Sequence, residues 1–134
     1  MAFKIGMIGS VENVAVIAEI VADYPDVPLL IDPVLSSGRG DELANDNVQE
    51  AMLDLLIPQA TLITPNSIEA RRLAFYNDDS EEAENASLDE SALRLLDIGS
   101  EYVLITGTHE RTAEVTNTLY GPLRLERRRT QCLK

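Results

Sequence analysis

The stretch LITPNSIEARRLA, residues 62–74, passes from one structural period to another without a linker. Leu62 and Ile63 belong to the apolar run ATLIT, residues 60–64, which reads as a buried strand. Pro65 ends that run, and from Asn66 onward charged and apolar residues alternate at helical spacing. Asn66 and Glu69 stand three residues apart at the start of this helix, where each side chain can accept from the other's orphan backbone N–H. A carboxylate on that first turn can equally hold a hydrated magnesium ion, which prefers oxygen ligands and keeps its waters. Both readings use the same atoms and both stay open from these residues alone.

Outward from this joint the chain alternates in the same way. AFKIGMI is a short apolar run ending at Gly9-Ser10, and VENVAVIAEIVADY follows with Val14, Ile17, Ala18 and Val21 at helical spacing and Ser10 as N-cap. VPLLID is apolar until Asp32, the pattern of a strand covered on both faces. NVQEAMLDLLI puts Val48, Met52, Leu55 and Leu56 on one helical face, with Asp46 as cap. The acid-rich segment YNDDSEEAENASLDE reads as a solvated loop leading to a capping box at Ser87 and Glu90. The helix opened there carries Leu93, Leu95, Leu96 and Ile98 and should stop at Gly99. YVLIT is the fourth strand, and VTNTLYGPLRLERR reads as a hairpin turning at Gly121-Pro122. Strand and helix in repeated alternation predict an α/β fold: a parallel sheet with covering helices and a C-terminal β-hairpin. Ligands of such sheets bind outside the carboxyl ends of the strands, so Gly9-Ser10, Asp32-Pro33, Thr64-Pro65-Asn66 and Thr106-Gly107 should share one functional edge.

Composition narrows the function classes. At 134 residues the chain suffices for one modest domain. A net charge of −12 argues against nucleic-acid binding, and the terminal run Arg127-Arg128-Arg129 is too short to reverse that. No apolar run is long enough to span a membrane. One cysteine excludes an internal disulfide and fits a reducing, cytoplasmic setting.

Among single candidates, Asp32 ends a strand before Pro33 and is either a turn former or a second acidic group near a phosphate–metal cluster. SSGRGDE, residues 36–42, lacks the Lys-Ser or Lys-Thr ending of a phosphate-binding P-loop and reads as a flexible loop. The backbone around Gly107 could approach a phosphate closely, since glycine adds no side chain. His109 reads as a surface histidine, and Cys132 has no base nearby in sequence.

Taken together and in order, KIGMIGS, DPVLSSGRGDEL, LLIPQATLITPNSIEARRL and YVLITGTHE resemble the hydroxymethylpyrimidine/phosphomethylpyrimidine kinases of thiamine biosynthesis, within the ribokinase-like superfamily. The likeness runs from about Phe3 to about Gly121. It implies one partial ribokinase-like domain over residues 1–134, with MgATP as co-substrate and hydroxymethylpyrimidine as acceptor. It further implies that Asn66, Thr106 and Gly107 face the nucleotide, that Asp32 and Glu69 lie at the magnesium, and that Met7 and Val34 line the pyrimidine pocket. Many members carry Lys where this chain has Thr106. The family's Gly-rich substrate loop and its GSGC-type anion-hole loop have no match here, so no catalytic base is assigned, and the chain looks like a segment cut at both ends. A homodimer would be natural for the family. The resemblance leaves two other readings open: an inactive α/β fragment or interaction module, and a related pyridoxal-type kinase.

Overall fold

The computed structural model describes residues 1–35 and 45–121 with their side chains, and 127–133 by backbone. The SSGRGDE loop and Pro122 of the expected hairpin turn lie outside the described residues. Among the described residues six strands form one sheet in the order β1-β2-β3-β4-β5-β6, where β1 is Phe3–Ile5, β2 Leu29–Ile31, β3 Leu62–Ile63, β4 Tyr102–Ile105, β5 Glu114–Tyr120 and β6 Arg127–Leu133. The first four strands pair in parallel, and β5 and β6 are added antiparallel, so the α/β sheet and its C-terminal hairpin are as the sequence predicts. Of the hairpin's second strand, the described part lies further along the chain than most of LRLERR. It runs through Arg127–Leu133, a polar stretch without the alternation that marks a strand, and it includes Cys132.

Helix α1, Val11–Ala22, is capped by Ser10, whose hydroxyl oxygen accepts from Asn13 N at 3.2 Å. It buries Val14, Ala18 and Val21. The second helix needs two corrections. Asn45, not Asp46, caps α2 (Asp46–Ala51), its Oδ1 accepting from Val48 N at 2.9 Å. The helix then widens into a π turn over Met52–Leu56. Bonding five residues back gives fewer degrees per residue, so Leu55 swings off the apolar stripe to 41% exposure while Met52 and Leu56 stay buried.

The acid-rich segment is not only a loop. It holds a one-turn helix α4, Glu81–Glu84, capped by Ser80; Ala83 within it and Ala86 just past it are buried. Helix α3 is Ser67–Ala74 and α5 is Leu88–Ile98. The α5 capping box is made in both directions by Ser87 and Glu90, and the helix ends at Gly99, as the spacing predicts.

One face of the sheet carries Leu29, Ile31, Ile63, Val103 and Ile105, all fully buried. The opposite face carries Leu30, Leu62, Tyr102 and Leu104, which are half-buried, and the exposed Lys4. The expectation of strands covered on both faces is therefore met on one face only. Parallel strands in sequential order, each reached by a right-handed crossover, put their connecting helices on the same side.

Candidate functional site

The four strand ends meet along one edge. Asp32 N donates to Ile5 O at 2.8 Å, Thr64 N to Ile31 O at 3.0 Å, and Thr106 N to Pro65 O at 3.0 Å. Beyond the end of β3, Asn66 and Thr106 form an isolated parallel bridge, and Ser67 N donates to Thr106 O at 3.0 Å. Pro65 has no N–H and ends the strand, yet its carbonyl still receives one, so the two chains stay zipped past it. This zip is what holds the first turn of α3 against the end of β4.

Asn66 caps α3. Its Oδ1 accepts from Glu69 N at 2.8 Å, and Glu69 Oε2 accepts from Asn66 N at 3.0 Å, so the box is complete. The second carboxylate oxygen, Oε1, accepts from Leu35 N at 3.4 Å, which draws the segment after β2 over the helix start. Glu69 is only 7% exposed. Burial pushes its carboxyl above the ordinary value of 4.5; the N–H groups of Asn66 and Leu35 oppose that, the charge of Asp32 adds to it, and His109 opposes it. Asp32 and His109 thus each lie within electrostatic reach of Glu69. Among the described residues no three acidic, His or Cys side chains gather into an all-protein metal cage. A buried carboxylate whose charge is raised in energy by a neighbouring acid does suit a hydrated cation that takes one or two carboxylates and fills its shell with water and phosphate oxygens.

Gly107 is needed for a reason internal to the fold. A Cβ there would run into the Thr116 carbonyl oxygen of β5. Its N–H donates to Asn117 Oδ1 at 3.3 Å. Beside it a cleft of about 300 Å³ is lined by Ser87, Asp89, Glu110, Thr112, Thr116 and Tyr120, among others. Met7 is 62% exposed and lines a separate apolar groove of about 540 Å³ between β1 and α1; Val34 does not line that groove. The structure therefore joins Asn66, Glu69, Thr106 and Gly107 directly and brings Asp32 alongside, while Met7 lines a groove that none of these residues lines. Sequence reasoning missed Leu35, Arg71, Glu110 and Asn117. Their contacts with the site span ten to 39 residues, and no local pattern marks them.

A sequence model described as phosphomethylpyrimidine kinase matches residues 1–133. The chain belongs to this family. It is 31% identical over 114 residues to the hydroxymethylpyrimidine/phosphomethylpyrimidine kinase of Staphylococcus aureus strain MRSA252, which covers 85% of this chain and 40% of that one. The chain thus spans well under half the length of that family member. The crystal structure of phosphomethylpyrimidine kinase from Clostridium difficile 630 superposes with a TM-score of 0.77 at 29% identity, covering 96% of this chain and 52% of the other. A pyridoxal kinase of Staphylococcus aureus, solved in complex with ADP, superposes with a TM-score of 0.78 at 25% identity over 98% of this chain and 46% of its own. The family's ribokinase-like α/β frame is thus the one described above.

Proposed function

We propose that these residues form the metal and nucleotide end of an ATP-dependent phosphotransferase acting on hydroxymethylpyrimidine and its monophosphate, in thiamine biosynthesis and in a cytoplasmic setting. The family match over nearly the whole chain carries this reading. The strand-end geometry supports it: a helix start and a strand end are bridged at Asn66 and Thr106, with Glu69 and Asp32 adjacent.

In this reading Glu69 and Asp32 would hold magnesium, which would supply charge neutralisation for a transferring phosphoryl group. The chain's own contribution is positioning. Asn66 fixes the Glu69 backbone and Glu69 fixes Asn66 in return. The Leu35 N–H orients the other carboxylate oxygen, and the Asn66–Thr106 bridge keeps the nucleotide side level with the metal side. Phosphoryl transfer asks mainly for such positioning and charge balance. The chain matches 40% of the length of its kinase relative, so the 134 residues alone are expected to turn over slowly or not at all.

The test is thermal unfolding with and without MgATP. Binding at a hundredfold excess over Kd would stabilise by about 2.7 kcal/mol. An unchanged transition at millimolar MgATP sinks the nucleotide reading. The superposition on pyridoxal kinase favours pyridoxal as the second acceptor to try, and comparing it with hydroxymethylpyrimidine separates the two kinases.

A further inference from the structure

Two residues beyond Glu69, Arg71 reaches from α3 to two other parts of the chain at once. Its Nε donates to Ala86 O at 3.1 Å, at the end of the acid-rich segment. Its Nη1 and Nη2 donate to Glu110 Oε1 and Oε2 at 2.9 and 3.3 Å, a bidentate fork on the turn that follows β4. Both side chains are 30% exposed, so as a surface ion pair the contact would add little to stability. What a fork fixes well is geometry, because a planar guanidinium and a planar carboxylate align along two bonds.

The turn it grips is Gly107–Glu110. Glu110 N donates to Gly107 O at 3.1 Å, closing the turn, and Gly107 N is held by Asn117. His109, inside this turn, acts electrostatically on Glu69. Glu110 also lines the cleft beside Gly107. Arg71 and Glu69 lie two positions apart on one short helix, so a contact from Arg71 to this turn ties the metal side of the edge to the nucleotide side.

We propose that Arg71 is a positioning residue: through Glu110 it sets the place of the 107–110 turn relative to the first turn of α3, and so the spacing on which MgATP binding depends. The dependence on MgATP rests on the function proposed above; the placement of the turn does not.

The experiment compares the whole chain with Arg71→Met, Arg71→Lys and Glu110→Gln, each checked for folding by circular dichroism. The first readout, without nucleotide, is amide exchange at Gly107 and Glu110 together with the ring resonances of His109. The second is the Kd for MgATP. Both Arg71 variants are expected to speed exchange at Glu110, shift the His109 ring and weaken MgATP about tenfold, the order of a typical coupling between linked sites. Lys keeps the charge but not the fork, so it should not rescue. Combining Arg71→Met with Glu110→Gln should weaken binding no further than Arg71→Met alone, since Glu110 acts on the site through the fork that Arg71→Met already removes.

Unchanged exchange and ring resonances in Arg71→Met overturn the proposal, and so does full rescue by Lys. Equal MgATP affinity in the wild type and Arg71→Met overturns it as well. If the wild-type chain takes no MgATP, the function reading falls and this extension of it falls too. The exchange data then distinguish that failure from failure of the clamp.

Discussion

Glu69 serves as a helix cap through the same oxygens that a metal site would need. The Asn66–Glu69 box was legible because both partners lie within one helical turn, and local spacing alone brings them together. What burial does to that carboxyl was not legible, since it depends on Leu35, Asp32 and His109 arriving from other strand ends. The consequence can be measured. The folded carboxyl holds its proton to higher pH than the unfolded one does. The stability tied to its protonated form is therefore fully present below the unfolded value of 4.5 and is lost as pH rises through the folded value. Wild type should gain stability relative to Glu69→Gln as pH is lowered from 7 towards 4.5, with no further relative gain below that. Urea unfolding of both chains across this range reads the difference. Parallel curves would show that Glu69 titrates like an ordinary exposed carboxyl.

Helix ends were easier to read than helix interiors. Ser10, the Ser87–Glu90 box and the stop at Gly99 follow from side chains that satisfy nearby backbone groups. The π turn at Met52–Leu56 does not, because nothing in the apolar spacing distinguishes four residues per repeat from five. In the acid-rich segment two buried alanines were enough to anchor it, too weak an apolar signal against so many carboxylates. Gly99 does more than end its helix. Its φ is +134°, and a Cβ would come within 2.9 Å of Pro58 Cα, in the 3-10 turn Ile57–Gln59 that leads into β3. Two constraints thus meet at one residue: a backbone region that L side chains rarely adopt, and a close approach of main chain to main chain. Gly99→Ala should cost about 1–3 kcal/mol, the usual range for such strain. Denaturant unfolding checks it; a loss under about 0.5 kcal/mol, within the range of an ordinary surface change, would mean that the helix end moves freely.

Across the whole molecule the dominant electrostatic fact is a net charge of −12. Self-repulsion on that scale opposes compactness and is screened by any salt, so NaCl alone should raise the unfolding temperature from its low-salt value. Magnesium offers a second, separable effect. At matched ionic strength both salts screen the surface, and only an ion bound at the strand ends adds stability beyond screening. If Glu69 and Asp32 hold magnesium, MgCl2 at about tenfold over its Kd should add roughly 1.4 kcal/mol over NaCl. That corresponds to about 5 °C for a chain of this size. The acid-rich surface could collect the ion loosely as well, so the location must be tested. Glu69→Gln and Asp32→Asn should each abolish the extra shift, because each removes a ligand from the strand-end edge. Glu82→Gln, on the exposed α4 turn, should leave it intact. The opposite pattern, with the shift lost in Glu82→Gln and kept in Glu69→Gln, would put magnesium on the acid-rich surface. The Asn66–Glu69 pair would then be a helix cap and nothing more.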